Sequence, residues 1–331
     1  MTSTTPYPLL FEPILKEKVW GARRLSTLNK QLPDDALIGE SWEIADLDHT
    51  SASGGGGQAA HSIVRNGAAK GAALRELLSD WGDALLGNAA PADGGFPLLI
   101  KYLDAGANLS VQVHPSEAFA AQRSDAHVKH EAWCVIHAEP GARIYRGLRD
   151  GETARSLRER VAAGTVDEAL LATPARPGEI LHLPSGVVHA LGAGVLVAEV
   201  QTPSDTTFRL DDWGRTGREL HIEDAMASAF DDTGAQTIPF SALPAPSTTH
   251  VVTDAFDIRR HVLAPGTSID LTFAGSPLIV MMLSGDASLV CADDSTALRL
   301  RTGDTALAPA SMKAAALSTD SGATALAITI P

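Results

Sequence analysis

Three short stretches of this chain carry side chains that together suit a metal ion. In residues 178–189 (GEILHLPSGVVH), Gly178 and Pro184 flank a short apolar strand. The Pro-Ser-Gly turn then reverses the chain, so that His189 returns facing inward on the neighbouring strand. Upstream, residues 109–115 (LSVQVHP) alternate: Ser110, Gln112 and His114 share one face, Leu109, Val111 and Val113 the other. Gln112 and His114 can therefore reach one ion. In residues 129–136 (KHEAWCVI), Lys129, Glu131 and Trp133 share a strand face, and Glu131 is the carboxylate candidate. Gln112, His114, Glu131 and His189 make a mixed nitrogen and oxygen set. Such a set fits zinc or another divalent first-row metal better than calcium or a thiolate site, with a position open to water or substrate. Singly, each residue reads as a satisfied polar group inside a barrel; the combination points to a metal. His130, His137 and His182 stand outside it, and solvent exposure accounts for His182, which alternation sends away from Leu183.

The spacing in residues 178–189 (glycine, five residues, proline, one residue, glycine, two residues, histidine) resembles the second signature of the cupin superfamily. Cupins usually carry His-x-His and then Glu. Here Gln112 replaces the first histidine, and a helical-looking insertion, 117–128, displaces Glu131. With that departure the combination resembles the class I mannose-6-phosphate isomerases in their bacterial short form. PLLFEP (8–13), VWG (19–21), IGESWEI (38–44), FPLLIKYLD (96–104), EVQ (199–201), SDTTFR (204–209), DWGR (212–215) and ELHI (219–222) follow in the family's order over the first two thirds of the chain. Phe208 and Asp211 stand where tyrosines are usual, departures expected to bear on sugar contacts.

The resemblance implies a metal-dependent aldose-ketose isomerase that interconverts mannose 6-phosphate and fructose 6-phosphate. A proton moves between carbons 1 and 2 through an enediolate, with one zinc per chain or another divalent metal. Arg209 matches the arginine the family treats as catalytic; a permanently charged guanidinium acts there as an electrostatic stabiliser. Glu199, a carboxylate in an apolar barrel, is the candidate base, or else a partner that orients His189. Lys129 is assigned to substrate oxygens or phosphate, with Lys101 and Ser110 as further substrate-binding candidates. Arg209 and Arg215 add to the local positive field. The remaining alternatives are an isomerase of a related sugar and a non-catalytic sugar-binding sensor. A metal oxygenase is less natural with Gln112 in place of histidine.

These residues need a scaffold, and 331 residues with 44% hydrophobic side chains can build a sizeable core. The expected class is mainly β: two cupin-type jelly-roll barrels with a few packing helices. Residues 1–236 form the catalytic unit. A Pro-, Ser- and Thr-rich stretch, 237–249, opens a second unit, 237–331. There Gly303 to Ser311 repeats the spacing of Gly178 to Gly186, suggesting an internal duplication that puts Ala314 opposite His189. The second unit is thus expected to lack metal ligands and to play a structural part. Helices are expected over 72–86 and 152–171. Residues 46–70, with four consecutive glycines, read as a hairpin loop and not a phosphate cradle. A net charge of −14 excludes a nucleic-acid footprint, so any phosphate pocket must be built locally. No apolar run is long enough to span a membrane and the start lacks signal-peptide character, giving an expected cytoplasmic location. Cys134 and Cys291 fall in separate strands and read as core residues without a disulfide. The expected partner is a small sugar phosphate; oligomeric state is not legible.

Overall fold

The computed structural model describes residues 5–50, 57–123, 126–273, 275–292 and 294–331. Ser53 and the glycines at 54–56 of the expected hairpin loop, and part of the 117–128 insertion, lie outside them. The chain is mainly β. Its strands form a five-stranded, two six-stranded and a four-stranded sheet, with a small two-stranded one.

Strand alternation explains how the four large sheets stack. In Val195–Gln201, Val195 and Val197 join a core with Trp133, Leu103, Leu109, Ile144 and Leu191, between the first six-stranded sheet and the five-stranded sheet. Ala198 and Val200 of the same strand point the other way. With Tyr102 and Cys134 they pack against Ile279, Met281, Leu307, Leu326 and Ile328 of the second six-stranded sheet. A third core, with Val280, Met282, Leu289 and Leu317, fills the space between that sheet and the four-stranded one. A fourth lies between the outer face of the five-stranded sheet, through Val111, Val113 and Leu210, and the helices Ala154–Ala163 and Ile222–Ala229. The first six-stranded sheet is therefore covered on both faces, and its strands are nearly continuous in buried residues.

The first strand, Leu9–Leu10, pairs with Thr305–Ala308, so the N-terminal segment completes a sheet built mostly from the C-terminal third. In place of the repeated-motif strand Ile180–Leu183 the second unit has Thr305–Ala308, and Ala314 opens the strand Ala314–Thr319 as His189 opens His189–Leu191. Cys134 and Cys291 are buried free thiols. No helix among the described residues is long and apolar enough to cross a membrane.

The expected helices are shorter than their apolar spacing suggests. The 72–86 segment divides at Gly82 into Leu74–Trp81 and Asp83–Leu86. The 152–171 segment is α-helical only over Ala154–Ala163, where Gly164 closes it with backbone bonds to Arg160 and Val161. A 3-10 turn, Val166–Ala169, and a strand, Leu170–Pro174, follow. Leu170 and Leu171, read as helix-face residues, thus belong to a strand: pairing with Arg143–Leu148 outweighs helix spacing. Among the described residues of the insertion, Glu117–Ala120 is helical.

The turn at Gly303 packs tightly against the end of the 3-10 helix Arg24–Leu28. The Gly303 carbonyl accepts from Lys30 Nζ at 2.7 Å, its φ is +86°, and an added Cβ would fall 1.9 Å from Leu28 O. Gly266 also has positive φ, +72°, but faces open space. Gly303→Ala is expected to cost about 2 kcal/mol or more and Gly266→Ala about 1 kcal/mol. Urea unfolding of both variants checks this; equal losses would show that the contact at Leu28 gives way freely.

Candidate active site

Register places the chemistry. Across the first six-stranded sheet, Trp42 lies opposite Lys101, Lys101 opposite Glu199, and Glu199 opposite Trp133. Side chains opposite one another in antiparallel strands share a face, so these four form one row. Two residues along, Glu131 pairs with Gln201 and Leu183. In the facing five-stranded sheet, Arg146, His189, Gln112 and Arg209 form a second row. The rows look at each other across a cavity of about 260 Å³.

Behind that cavity, His114, Glu131 and His189 have no solvent exposure. Both imidazoles use Nδ1 on a backbone carbonyl: His114 on Thr206 O and His189 on Val187 O, each at 2.9 Å. A carbonyl only accepts, so Nδ1 carries a proton in each ring, and the neutral form of that tautomer offers the Nε2 lone pair to a cation. Burial first, then the charge of Lys129, lowers the His114 pKa to about 3 and keeps that ring neutral. Those two Nε2 atoms face Glu131, His189 at 3.0 Å from Oε1 and His114 at 3.4 Å from Oε2. Neither carboxylate oxygen receives a well-directed hydrogen bond, although Lys129 Nζ makes an ion pair with Oε2 at 2.9 Å. Burial would raise the Glu131 pKa, but the adjacent ammonium of Lys129 leads the effects that hold it well below the usual range. The three possible ligand atoms lie within 4.8 Å of one another, with the Lys129 ammonium at their edge, a grouping compact enough to hold one ion. The donor set fits a divalent ion, with imidazole orientation already fixed by the carbonyls. Gln112 turns its Nε2 to His189 Nε2 at 3.2 Å; a half-turn of the amide would present Oε1 to the same place.

The cavity itself is lined by Lys101, Ser110, Gln112, Lys129, Glu199 and Arg209, all expected from sequence. Glu199 accepts from Trp133 Nε1 at 2.8 Å and lies 3.2 Å from Lys101 Nζ. Burial dominates Glu199 and raises its pKa, despite Lys101. His189 Nδ1 goes to Val187 O, while Glu199 has its contacts with Trp133 and Lys101. Lys101 is buried, which alone would lower its pKa; Glu199 and Glu40 together raise it. Arg209 donates Nη1 to Glu219 O at 2.6 Å.

Among the lining residues that escaped the sequence reading are Lys18, Glu40, Trp42 and Arg218. Glu40 and Trp42 carried a signal, since alternation in Ile38–Ile44 sets them together against Ser41 and Glu43. Lys18 sits where the register with Ile38 slips, and Arg218 in a loop, so neither had a periodicity to follow. Three expectations are corrected. Arg215 leaves the cavity for Asp212 and Asn108 O, both at 2.7 Å. Phe208 packs on Phe119 and Asp211 accepts from Trp213 N, so the two departures from the family pattern lie off the cavity wall. His182 is half-buried beside Phe256, and burial chiefly lowers its pKa to about 4; the edge of its strand is covered by the segment around Ser247.

Comparison with known proteins now bears on this geometry. The mannose-6-phosphate isomerase of Streptococcus mutans is 34% identical over 318 residues, spanning 92% of this chain and 93% of that protein. The chain belongs to the mannose-6-phosphate isomerase family. The family model for the catalytic domain of type I phosphomannose isomerase matches residues 9–140. ManA, a mannose-6-phosphate isomerase of Bacillus subtilis, is 36% identical over 228 residues, covering 67% of this chain and 68% of that one. The crystal structure of the mannose 6-phosphate isomerase from Bacillus subtilis superposes with a TM-score of 0.77 at 26% identity, over 97% of this chain and 99% of that one. The fold of the family is therefore present from end to end, including the second unit.

Two outcomes are expected in this family member. His114→Ala, Glu131→Gln and His189→Ala should each lower bound divalent metal after dialysis by roughly tenfold or more, read by elemental analysis; full metal content in all three would remove the site. Glu40 behaves differently. Burial raises its pKa, but Lys18 and Lys101, with the Trp42 N–H, bring it to about 2, below its ordinary 4.5. Its ionised form is favoured by folding, so that stability is complete above pH 4.5 and is lost as pH falls toward 2. Glu40→Gln should flatten the fall of the urea midpoint between those values; an unchanged slope would contradict the assignment.

Proposed function

We propose that this protein interconverts mannose 6-phosphate and fructose 6-phosphate, with a zinc ion held by Gln112, His114, Glu131 and His189. The observation that carries this reading is the pair of imidazole Nε2 atoms aimed at a buried carboxylate, next to a cavity that holds an acid-base group. Bound among those residues, zinc or another divalent cation would polarise the sugar oxygens and lower the cost of the developing negative charge.

The chain's own groups supply the rest. Glu199, raised by burial, takes the proton from carbon 2 of the open-chain aldose. The electron pair left behind forms the carbon 1–carbon 2 double bond, and the carbonyl oxygen takes the charge of the enediolate. Transfer of the hydroxyl proton from oxygen 2 to oxygen 1, return of the carbon proton to carbon 1 and formation of the carbonyl at carbon 2 then give the ketose; no oxidant is consumed. Lys101, 3.2 Å away, opposes the rise in the Glu199 pKa and favours the ionised form. Arg209, 2% exposed and charged throughout, faces the reacting oxygens as an electrostatic stabiliser. Lys129 bridges toward the metal ligands, 3.3 Å from His114 Nε2, and holds a substrate oxygen. Ser110 Oγ, 3.2 Å from the Gln112 amide, would accept from Nε2 once Oε1 is turned to the metal, and it completes the wall. The second unit, residues 237–331, is assigned a structural part, covering the rear face of the catalytic sheet.

Turnover of mannose 6-phosphate should be lost on chelation and restored by zinc. Arg209→Ala should keep its metal and lose turnover by roughly a hundredfold or more. Metal-loaded protein inert toward mannose 6-phosphate would overturn the activity, and an unchanged rate in Arg209→Ala would remove that residue from the mechanism.

A further inference from the structure

The second unit keeps a cavity where the first has its candidate active site. The two six-stranded sheets share a strand order: Ile180–Leu183, Glu131–Ala138, Val195–Gln201 and Leu99–Ala105 in one, Thr305–Ala308, Leu278–Gly285, Ala323–Thr329 and Asp257–Leu263 in the other. Their registers then match residue to residue. Leu183 lies opposite Glu131, Glu131 opposite Gln201 and Gln201 opposite Leu99; in the same way Ala308 lies opposite Leu278, Leu278 opposite Thr329 and Thr329 opposite Asp257. Two residues along, Trp133, Glu199 and Lys101 correspond to Val280, Ala327 and Arg259. Over these rows lies a cavity of about 360 Å³, lined on its other side by Asp270, Leu271 and Thr272 of the strand Thr267–Thr272. Leu278 stands where the first unit has Glu131, and Ala327 where it has Glu199, so the ligand carboxylate and the candidate base have no counterpart in these rows.

The lining of this second cavity is nonetheless polar. Arg259 takes the place of Lys101, with Asp257 and His261 on the same strand face. Asp257 lies 2.7 Å from His250 Nε2 and 3.5 Å from Arg259 Nε. The buried Nε2 of His261 has no hydrogen-bond partner among the described residues. Burial first, then the charge of Arg259, lowers the His261 pKa, so the ring is neutral and able to donate to or accept from a hydroxyl. Leu271, Leu278 and Ala327 give the cavity an apolar side. Asp257 and Asp270 outweigh the single guanidinium of Arg259, which disfavours a phosphate. The described residues offer no group of three metal ligands here. We propose that this cavity binds a neutral monosaccharide, its hydroxyls paired with Asp270, Arg259 and His261 and its carbon face laid on the apolar side. This site goes beyond the structural part given to the second unit, and it depends neither on the metal centre nor on the isomerase reading.

The test is ligand-observed NMR of the whole protein with D-mannose and D-glucose, with and without chelator, alongside turnover of mannose 6-phosphate. At least one hexose should bind whether or not metal is present, and inorganic phosphate should not displace it. Asp270→Asn should weaken that binding by roughly tenfold or more and leave turnover unchanged. Ala327→Leu, which fills the apolar side, should abolish hexose binding. Arg209→Ala, in the other cavity, should leave it as it is. The proposal falls if neither hexose binds, or if Asp270→Asn binds as tightly as the unaltered protein. It falls also if binding is lost with the metal or in Arg209→Ala, which would put the sugar in the first cavity, or if phosphate competes. Should Ala327→Leu not fold, Asp270→Asn decides, because Asp270 is exposed and its replacement removes no packing.

Discussion

A carboxylate taken wholly out of water must be matched by positive charge, and Glu131 sets that demand at the centre of this molecule. Lys129 meets part of it from 2.9 Å. The two imidazoles face the carboxylate through Nε2, because their Nδ1 atoms are committed to the carbonyls of Thr206 and Val187. A divalent ion among the three would meet the rest. Everything that fixes the carbonyls of Thr206 and Val187 therefore helps to fix the ligand geometry, although neither residue offers a ligand atom itself.

Positioning of this kind needs stiff walls, and the first six-stranded sheet supplies one by being buried on both sides. Its front face holds Trp42, Lys101, Glu199 and Trp133 in one row; its back face packs Tyr102, Ala198 and Val200 against the second unit. Each large apolar side chain buried there contributes about 2 kcal/mol, which gives the C-terminal sheets a physical reason to exist apart from any chemistry. The back face also carries charge. Glu43 accepts from Lys30 at 2.7 Å and from Ser41 at 2.6 Å, while Lys30 donates as well to Gly303 O. The strand that presents Glu40 and Trp42 to the cavity is thereby pinned from behind by the second unit.

Much of this was legible in residues 109–115, 129–136 and 178–189, because a period of two assigns faces without knowledge of the fold. His114, Glu131 and His189 were found that way and meet in one place. The helices were overextended for the complementary reason: apolar spacing near Leu170 fits either a helix or a strand, and only the partner strand Arg143–Leu148 decides between them. The same limit explains Arg215 and Arg218. Both lie in a loop with no period, and which of them reaches the cavity depends on how Asp212 divides its oxygens.

The sequence by itself determined the mainly β class, the family and the shared faces of the strands that carry His114, Glu131 and His189. These are local: each follows from residue type and spacing along a few consecutive positions. Tertiary structure alone decided which rows face each other, that Leu9–Leu10 completes a sheet from the other end of the chain, and that Glu199 meets Lys101 and Trp133. It also decided which arginine lines the cavity. Those outcomes depend on register and packing between segments far apart in the chain, where energies of contact and not local periodicity set the partners.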